Sequence, residues 1–168
     1  MKNKTFIIAE IGNSHNGNFK YALRAINSAK KAGADAVKFQ FIKPAELVHP
    51  NLKPYNPNSK YKTQLEKFNK ITLKLEDFRK LSKYAKKRKI KFGLSIFDIS
   101  AIKEVKDIVD FYKIASGDIN FDHLIQKTSN TKKELILSTG VSNFSEIKKM
   151  RFKKNISIMP VSYTHLRA

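Results

Sequence analysis

Short apolar runs alternate along this chain with amphipathic stretches of helical period. After the first run, apolar residues repeat at helical spacing from Phe19 to Ala29, and Gly33 follows where a helix would end. A second helical pattern covers residues 75–89, after a polar, proline-containing excursion, and shorter patterns begin near Ser100 and Asp122. The apolar runs predict five strands and a candidate sixth, at residues 6–12, 36–42, 90–97, 111–118, 134–140 and 156–161.

Strands that alternate with helices imply right-handed crossovers and a parallel sheet, so the predicted fold class is α/β. Polar side chains recur at the C-terminal ends of successive strands: Glu10; Lys38 and Gln40; Ser95; Lys113 and Ser116; Ser138 and Thr139. A (β/α)₈ barrel builds its active site from several strand ends, whereas a doubly wound sheet gathers ligand contacts at one switch point. The pattern favours a TIM barrel. A complete barrel takes about 250 residues, so the units present predict an incomplete one, with about five to six strand-helix units.

Two lysines interrupt apolar strands, Lys38 in AVKFQFI and Lys113 in FYKIASGD. An unpaired ammonium is costly to bury, so each needs an anion or a route to solvent. In a structural interpretation, each lysine reaches out at the strand end or pairs with a carboxylate such as Glu10. In a functional one, both lysines and nearby hydroxyls form a cradle for phosphate and carboxylate groups, which the barrel rule favours. The hydroxyls belong to Ser95, Ser116, Ser138 and Thr139.

Glu10 lies inside the first apolar run and has two compatible interpretations. It neutralises Lys38, or it exchanges protons with a substrate, its basicity tuned by burial and by the neighbouring lysines. His15, in the loop that follows, is either a metal or substrate ligand or a hydrogen-bonding turn residue. His49 and His123 have no partner at metal-ligand spacing, so we expect surface roles for both.

The composition of the chain limits its class. It has 34 Lys and Arg against 14 Asp and Glu, a formal net charge of +20 over 168 residues, and no Cys. Such a charge suits nucleic acid, but the lysines are dispersed, and the basic run at 86–89 falls at a predicted helix end, where cations offset the helix dipole. Without a secretory signal or a run of roughly 20 apolar residues, the sequence predicts a cytoplasmic protein that binds neither nucleic acid nor membrane.

Five motifs occur in order along the chain: AEIGNSHNG, GADAVKFQ, LSIFD, YKIASGDI and ILSTG. Together, from about Phe6 to about Ile147, they resemble the catalytic barrel of the sialic acid synthase family, which includes N-acetylneuraminate, legionaminate and pseudaminate synthases. The resemblance implies a transferase that condenses phosphoenolpyruvate with an N-acylated amino sugar, such as N-acetylmannosamine, to give a sialic acid-type nonulosonate and phosphate. Such an enzyme serves carbohydrate and polysaccharide biosynthesis.

The same resemblance implies roles for individual residues. Glu10 would be the catalytic acid or base. Gln40, Ser14 and His15 would border the sugar. The family uses a divalent metal, manganese or magnesium, as a Lewis acid, with ligands expected beyond the end of this chain and none within it. Full-length members of the family form homodimers. The side chains that would hold phosphoenolpyruvate are Lys38, Ser95, Lys113, Ser116 and Ser138.

Two motifs depart from the family pattern. Ser14 stands where the family usually has Asn, and LSIFD replaces the usual STPFD, which puts Ser95 at the Thr position. Residues 1–160 are expected to be the N-terminal part of the catalytic barrel, and residues 161–168, with His165, a tail of doubtful origin. The family's C-terminal antifreeze-like domain is absent from the sequence, which predicts a fragment.

Two alternative functions stay open at this point. One is a different phosphoenolpyruvate-dependent synthase of 3-deoxy sugar acids, which would accept a phosphorylated aldose in place of an N-acylated hexosamine. The other is a basic, non-enzymatic binding protein on a degenerate barrel, whose retention on DNA or RNA would depend on salt.

Overall fold

The structure is a computed structural model that describes residues 5–149 and 154–160. Strands and helices alternate through it. The strands are β1 (Ile8–Gly12), β2 (Ala36–Gln40), β3 (Lys91–Ser95), β4 (Phe111–Ile114), β5 (Glu134–Ser138) and β6 (Ile156–Met159). The helices are α1 (Phe19–Lys31), α2 (Pro44–Leu47), α3 (Gln64–Ile71), α4 (Leu75–Lys87), α5 (Ile99–Val105), α6 (Asp122–Ser129) and α7 (Phe144–Lys149).

All six strands join one parallel sheet in the order β1-β2-β3-β4-β5-β6. Each strand therefore lies beside the next one along the chain, and the order never reverses as it does in a doubly wound sheet. This sequential order is that of a (β/α)₈ barrel. The predicted fold, an incomplete barrel of α/β class, is confirmed.

The two faces of the sheet carry different side chains because successive residues of a strand point to opposite sides. One face packs against the helices in a large apolar core that includes Ile26 of α1, Leu81 of α4, Phe39 of β2 and Leu94 of β3. We call the opposite face, which lines the barrel interior, the inner face. It carries a small second cluster of Ala36, Phe111 and Ile136, and also the polar strand-end residues.

The ends of the two longest helices follow the predicted pattern. Asn18 caps the start of α1 by accepting a hydrogen bond from the backbone of Tyr21, and Gly33 follows its end in a left-handed conformation, with φ +87°. The basic run at 86–89 lies at the end of α4, where Lys86 and Lys87 occupy the last turn.

Three local features differ from the sequence-based expectation. The proline-containing excursion holds two helices, α2 and α3; Thr63 caps α3 by accepting from the backbone of Glu66. The fourth strand ends at Ile114, and residues 116–118 form a 3₁₀ turn instead of continuing it. Helix α7 follows β5 without having been predicted, since its six residues are too few to show a helical period.

The predicted tail, residues 161–168, lies outside the described residues, as does His165. None of the helices within the described ranges is long and apolar enough to cross a membrane.

Candidate active site

Glu10 lies between two lysine side chains on the inner face. Lys38 Nζ is 2.7 Å from Glu10 Oε1, and Lys113 Nζ is 3.7 Å from Glu10 Oε2. Lys38 also donates a 2.6 Å hydrogen bond to Ser95 Oγ. The side chain of Lys38 is 3% exposed and that of Glu10 is 51% exposed. The carboxylate is therefore open to solvent, whereas the ammonium of Lys38 is enclosed by protein.

Strand register brings these residues together. Glu10 pairs with Lys38 across β1 and β2, while Ser95 pairs with Gln40 of β2 and with Lys113 of β4. Register partners in a parallel sheet are neighbours on the same face, so residues far apart in sequence become adjacent. The structure thus joins Lys113, Glu10, Lys38 and Ser95 into one cluster, as the strand-end pattern predicted.

The electrostatics of the cluster favour an anion. Burial lowers the pKa of Lys38 below its ordinary value of 10.5, because the charged form loses its hydration. Glu10 opposes this shift through its charge and hydrogen bond, and the charge of Lys113 adds to it. One carboxylate between two ammonium groups leaves a positive excess, which an anionic ligand would compensate.

A cavity of about 380 Å³ opens beside the cluster. That volume lies in the range of small-molecule sites, roughly 300–1,000 Å³. The cavity combines charged and apolar walls, which suits a small anion with a carbon skeleton. It is lined by Ile8, Glu10, Lys38, Phe111, Lys113, Met159 and Pro160.

The remaining hydroxyls lie at the ends of neighbouring strands. Ser138 is the last residue of β5 and is 3% exposed, and within the described residues its Oγ has no hydrogen-bond partner. A buried hydroxyl without a partner is unfavourable, so an oxygen-rich ligand would stabilise it. Ser116 is half-buried in the 3₁₀ turn after β4. Ser116 follows β4, the strand that carries Lys113, but no hydrogen bond joins its side chain to the cluster within the described residues.

The residues expected to border a sugar lie in and beside the loop after β1. Gln40, at the end of β2, accepts a 2.7 Å hydrogen bond from Asn13 Nδ2. Ser14 is exposed, and its Oγ donates to the carbonyl of Ile11 at 2.8 Å. These contacts fix the loop against the strand ends, and a role for either side chain in sugar binding stays a prediction.

His15 is buried on the helix side of the sheet. It is 2% exposed, and its ring lies 6.0 Å from that of Phe39, centroid to centroid. Its Nδ1 accepts from the backbone N–H of Gly17, and burial lowers the pKa of His15. The Nδ1 contact is that of a turn residue, whereas Nε2 is buried and has no hydrogen-bond partner within the described residues. Both alternatives, a turn residue and a ligand-binding residue, therefore stay open.

Two inner-face residues were not singled out from the sequence, Gly93 of β3 and Phe111 of β4. They are register partners, and a Cβ atom added at Gly93 would overlap three atoms of the Phe111 ring. An isolated glycine in a strand often marks the close approach of another group. Gly93, inside the apolar run IKFGLSIF, was therefore the signal in the sequence that could have indicated this contact.

A metal site does not fit the part of the chain that the structure covers. Across residues 5–149 and 154–160, no group of three or more His, Cys, Asp or Glu side chains is placed to hold a metal ion. Glu10 is flanked by two ammonium groups, which repel a cation.

The fold and the cluster define a class: an incomplete (β/α)₈ barrel with two lysines, a glutamate and a serine joined at its strand ends. The sequence model of the NeuB family matches residues 25–153, so the chain belongs to the NeuB family. The resemblance to sialic acid synthases, inferred from the five motifs, is thereby confirmed.

Named relatives agree with this assignment. The chain is 35% identical to the N,N'-diacetyllegionaminic acid synthase of Campylobacter jejuni, over 86% of the chain and 45% of that protein. It is 32% identical to the N-acetylneuraminate-9-phosphate synthase of Mus musculus, over 89% of the chain and 43% of that protein. The chain spans less than half the length of these relatives.

A solved structure shows the same fold. The N-acetylneuraminic acid synthetase of Leptospira borgpetersenii, in complex with citrate, aligns with a TM-score of 0.72 and 31% identity. The alignment covers 87% of this chain and 48% of that one.

Proposed function

We propose that this chain is part of the catalytic barrel of an enzyme that condenses phosphoenolpyruvate with an N-acylated amino sugar, releasing phosphate. The observation that carries the proposal is the connected cluster of Lys113, Glu10, Lys38 and Ser95 beside the cavity. Membership of the NeuB family supports it, since named relatives are synthases of legionaminic acid and of N-acetylneuraminate 9-phosphate.

Phosphoenolpyruvate matches the charge and size of the site. Its phosphate and carboxylate would pair with Lys38 and Lys113, whose excess charge lacks a full set of anionic partners. The hydroxyls of Ser95 and Ser138 would donate to the remaining oxygens, which supplies the partner that Ser138 Oγ otherwise lacks. Ser116 would join them from the 3₁₀ turn.

Glu10 is the proposed acid/base group. In the condensation, the methylene carbon of phosphoenolpyruvate bonds to the aldehyde carbon of the sugar, water adds at the other end of the former double bond, and phosphate leaves. The water loses a proton and the aldehyde oxygen gains one, so a carboxylate near both can transfer it. Half-exposed and held between two lysines, Glu10 can reach a ligand in the cavity.

The acceptor sugar would lie at the mouth of the barrel, near Gln40 and the loop that carries Ser14. The amide of Gln40 is oriented by Asn13, which makes it a positioned polar group. We propose that His15 stabilises this loop through its contacts with Phe39 and with the backbone of Gly17, and that it does not touch the sugar. The divalent metal implied by the resemblance would take its ligands outside the described residues. Homodimerisation and a cytoplasmic location belong to the same proposal.

Titration of the protein with phosphoenolpyruvate, followed by ³¹P NMR, tests the proposal. We expect binding by the wild type and a loss of roughly tenfold or more in Lys38→Met and Lys113→Met, since each removes a charge-assisted contact. Lys43→Met is the matched control, because Lys43 pairs with Glu104 at 2.8 Å and does not line the cavity. Phosphate release that depends on an N-acylated hexosamine tests the full reaction. A wild type that retains its fold yet does not bind phosphoenolpyruvate would contradict the proposal.

A further inference from the structure

One row of register partners crosses the inner face from the acid/base group to an aromatic ring. Glu10 pairs with Lys38, Lys38 with Gly93, and Gly93 with Phe111. The row therefore continues directly from the charged cluster to an apolar side chain. Both ends of the row, Glu10 and Phe111, line the same cavity.

The ring of Phe111 lies across Gly93 because Gly93 has no side chain. A Cβ atom at position 93 would overlap three atoms of that ring. Gly93 is not in a left-handed conformation, so its backbone does not require glycine, and the close approach of the ring is what excludes a larger residue.

The ring of Phe111 is packed among apolar side chains. Phe111 is 2% exposed and packs with Ala36 and Ile136, with Ile8 and Met159 against this cluster. Ile8 and Met159 line the cavity together with Phe111, so a displacement of the tightly packed ring would change the wall of the cavity.

We propose that Phe111, seated over Gly93, is a specificity-determining residue that forms the apolar floor of the anion site. The floor stops the ligand at the level of Lys38 and Lys113 and contacts its carbon skeleton. This inference rests on the proposed function, because it assumes that the ligand is a small phosphorylated carboxylate.

Two variants and their combination test the floor, with phosphoenolpyruvate and inorganic phosphate as probes. Gly93→Ala should push the ring into the cavity and weaken phosphoenolpyruvate binding by roughly tenfold or more, the scale of one misplaced methyl group in a pocket. The double variant Gly93→Ala with Phe111→Leu should recover part of that loss, since leucine leaves room for the new Cβ. A double variant no better than Gly93→Ala would overturn the inference.

Phe111→Leu alone provides a second readout, which holds even where Gly93→Ala fails to fold. It should reduce the affinity for phosphoenolpyruvate severalfold while leaving that for inorganic phosphate unchanged, because phosphate has no carbon skeleton to contact the ring. The matched control is Phe92→Leu, the same change at a buried residue of β3 that belongs to the core on the helix side. It should lower the melting temperature and leave both affinities unchanged.

The outcomes separate the two proposals. A folded wild type that binds neither probe overturns the proposed function and the floor with it. A wild type that binds phosphoenolpyruvate, together with a Phe111→Leu variant whose preference for it over phosphate is unchanged, overturns the floor alone.

Discussion

Lys38 Nζ lies 2.7 Å from Glu10 Oε1, yet the two side chains are exposed very differently, at 3% and 51%. The pair is therefore not a closed structural salt bridge. Lys38 bears the desolvation cost, while Glu10 stays open to the cavity, as its proposed acid/base role requires. Burying one charge of a pair is costly unless the remaining contacts compensate, so the pair by itself is weak evidence for stability.

Replacing Lys38 by methionine should separate binding from stability. The buried ammonium is costly, and the Glu10 carboxylate left behind remains solvated and near Lys113. Ser95 Oγ also loses its hydrogen bond from Lys38, and this loss offsets part of the gain from removing a buried charge. We therefore expect the free energy of unfolding to change by less than about 1 kcal/mol. Phosphoenolpyruvate affinity should fall at the same time by roughly 10- to 150-fold, as expected for a lost hydrogen bond to a charged group. Urea denaturation and ligand titration of the same preparation measure both. A large destabilisation would show that the pair is structural.

The pH dependence of anion binding should report the pKa of Lys38. Burial lowers this pKa below 10.5, and Glu10 partly restores it. Only the protonated lysine attracts an anion, so phosphoenolpyruvate affinity should fall as the pH rises through the lowered pKa, before an ordinary lysine would titrate. In Glu10→Gln the supporting charge is gone, so the decline should move to lower pH. Glu104→Gln, which removes the partner of Lys43 outside the cavity, should leave the profile unchanged. Coincident profiles for Glu10→Gln and wild type would argue against this coupling.

His15 should make the fold sensitive to acid. Burial lowers its pKa below 6.5 in the folded protein, whereas the unfolded chain titrates near the ordinary value. As the pH falls below 6.5, the unfolded state binds a proton that the folded state does not, so the free energy of unfolding falls; above 6.5 this contribution is constant. His15→Gln should lose this part of the pH dependence in urea denaturation at a series of pH values. The exposed His49→Gln is the control and should keep it. An unchanged slope in His15→Gln would contradict the assignment.

The fold could be predicted from the sequence because its signals are local. Apolar runs such as AVKFQFI marked the strands, and polar strand ends such as Ser95 distinguished a barrel from an open sheet. Helices α2 and α3 were missed because prolines and polar residues obscure short helical patterns, and α3 is fixed by a cap at Thr63 and by packing. Tertiary contacts override weak local preferences in such segments.

The site was only partly predictable for a related reason. Glu10, Lys38 and Lys113 stood out because charges inside apolar runs need an explanation. The contacts of Asn13 with Gln40 and of Gly93 with Phe111 depend on strand register and ring position, which a single sequence does not specify. The direction of His15 toward Phe39, and so toward the helix side, likewise required the structure.

A substitution at Gly17 should lower the free energy of unfolding, because the loop after β1 passes close to α3. Gly17 has φ +74°, and an added Cβ atom would overlap the backbone carbonyl oxygen of Lys70. Gly33 also has a left-handed conformation, with φ +87°, but nothing lies within 4 Å of an added Cβ atom. Gly33→Ala should therefore cost about 1 kcal/mol of unfolding free energy, the conformational penalty alone.

Gly17→Ala should cost about 2 kcal/mol or more beyond the loss in Gly33→Ala, because a backbone oxygen cannot move aside as a flexible side chain would. Urea denaturation of the two variants beside the wild type measures the difference. The loop after β1 carries Asn13, which orients Gln40. Gly17→Ala should therefore also weaken binding of the acceptor sugar more than binding of phosphoenolpyruvate, whose proposed contacts lie in the strands. Equal losses of stability in the two variants would show that the loop does not depend on its close approach to α3.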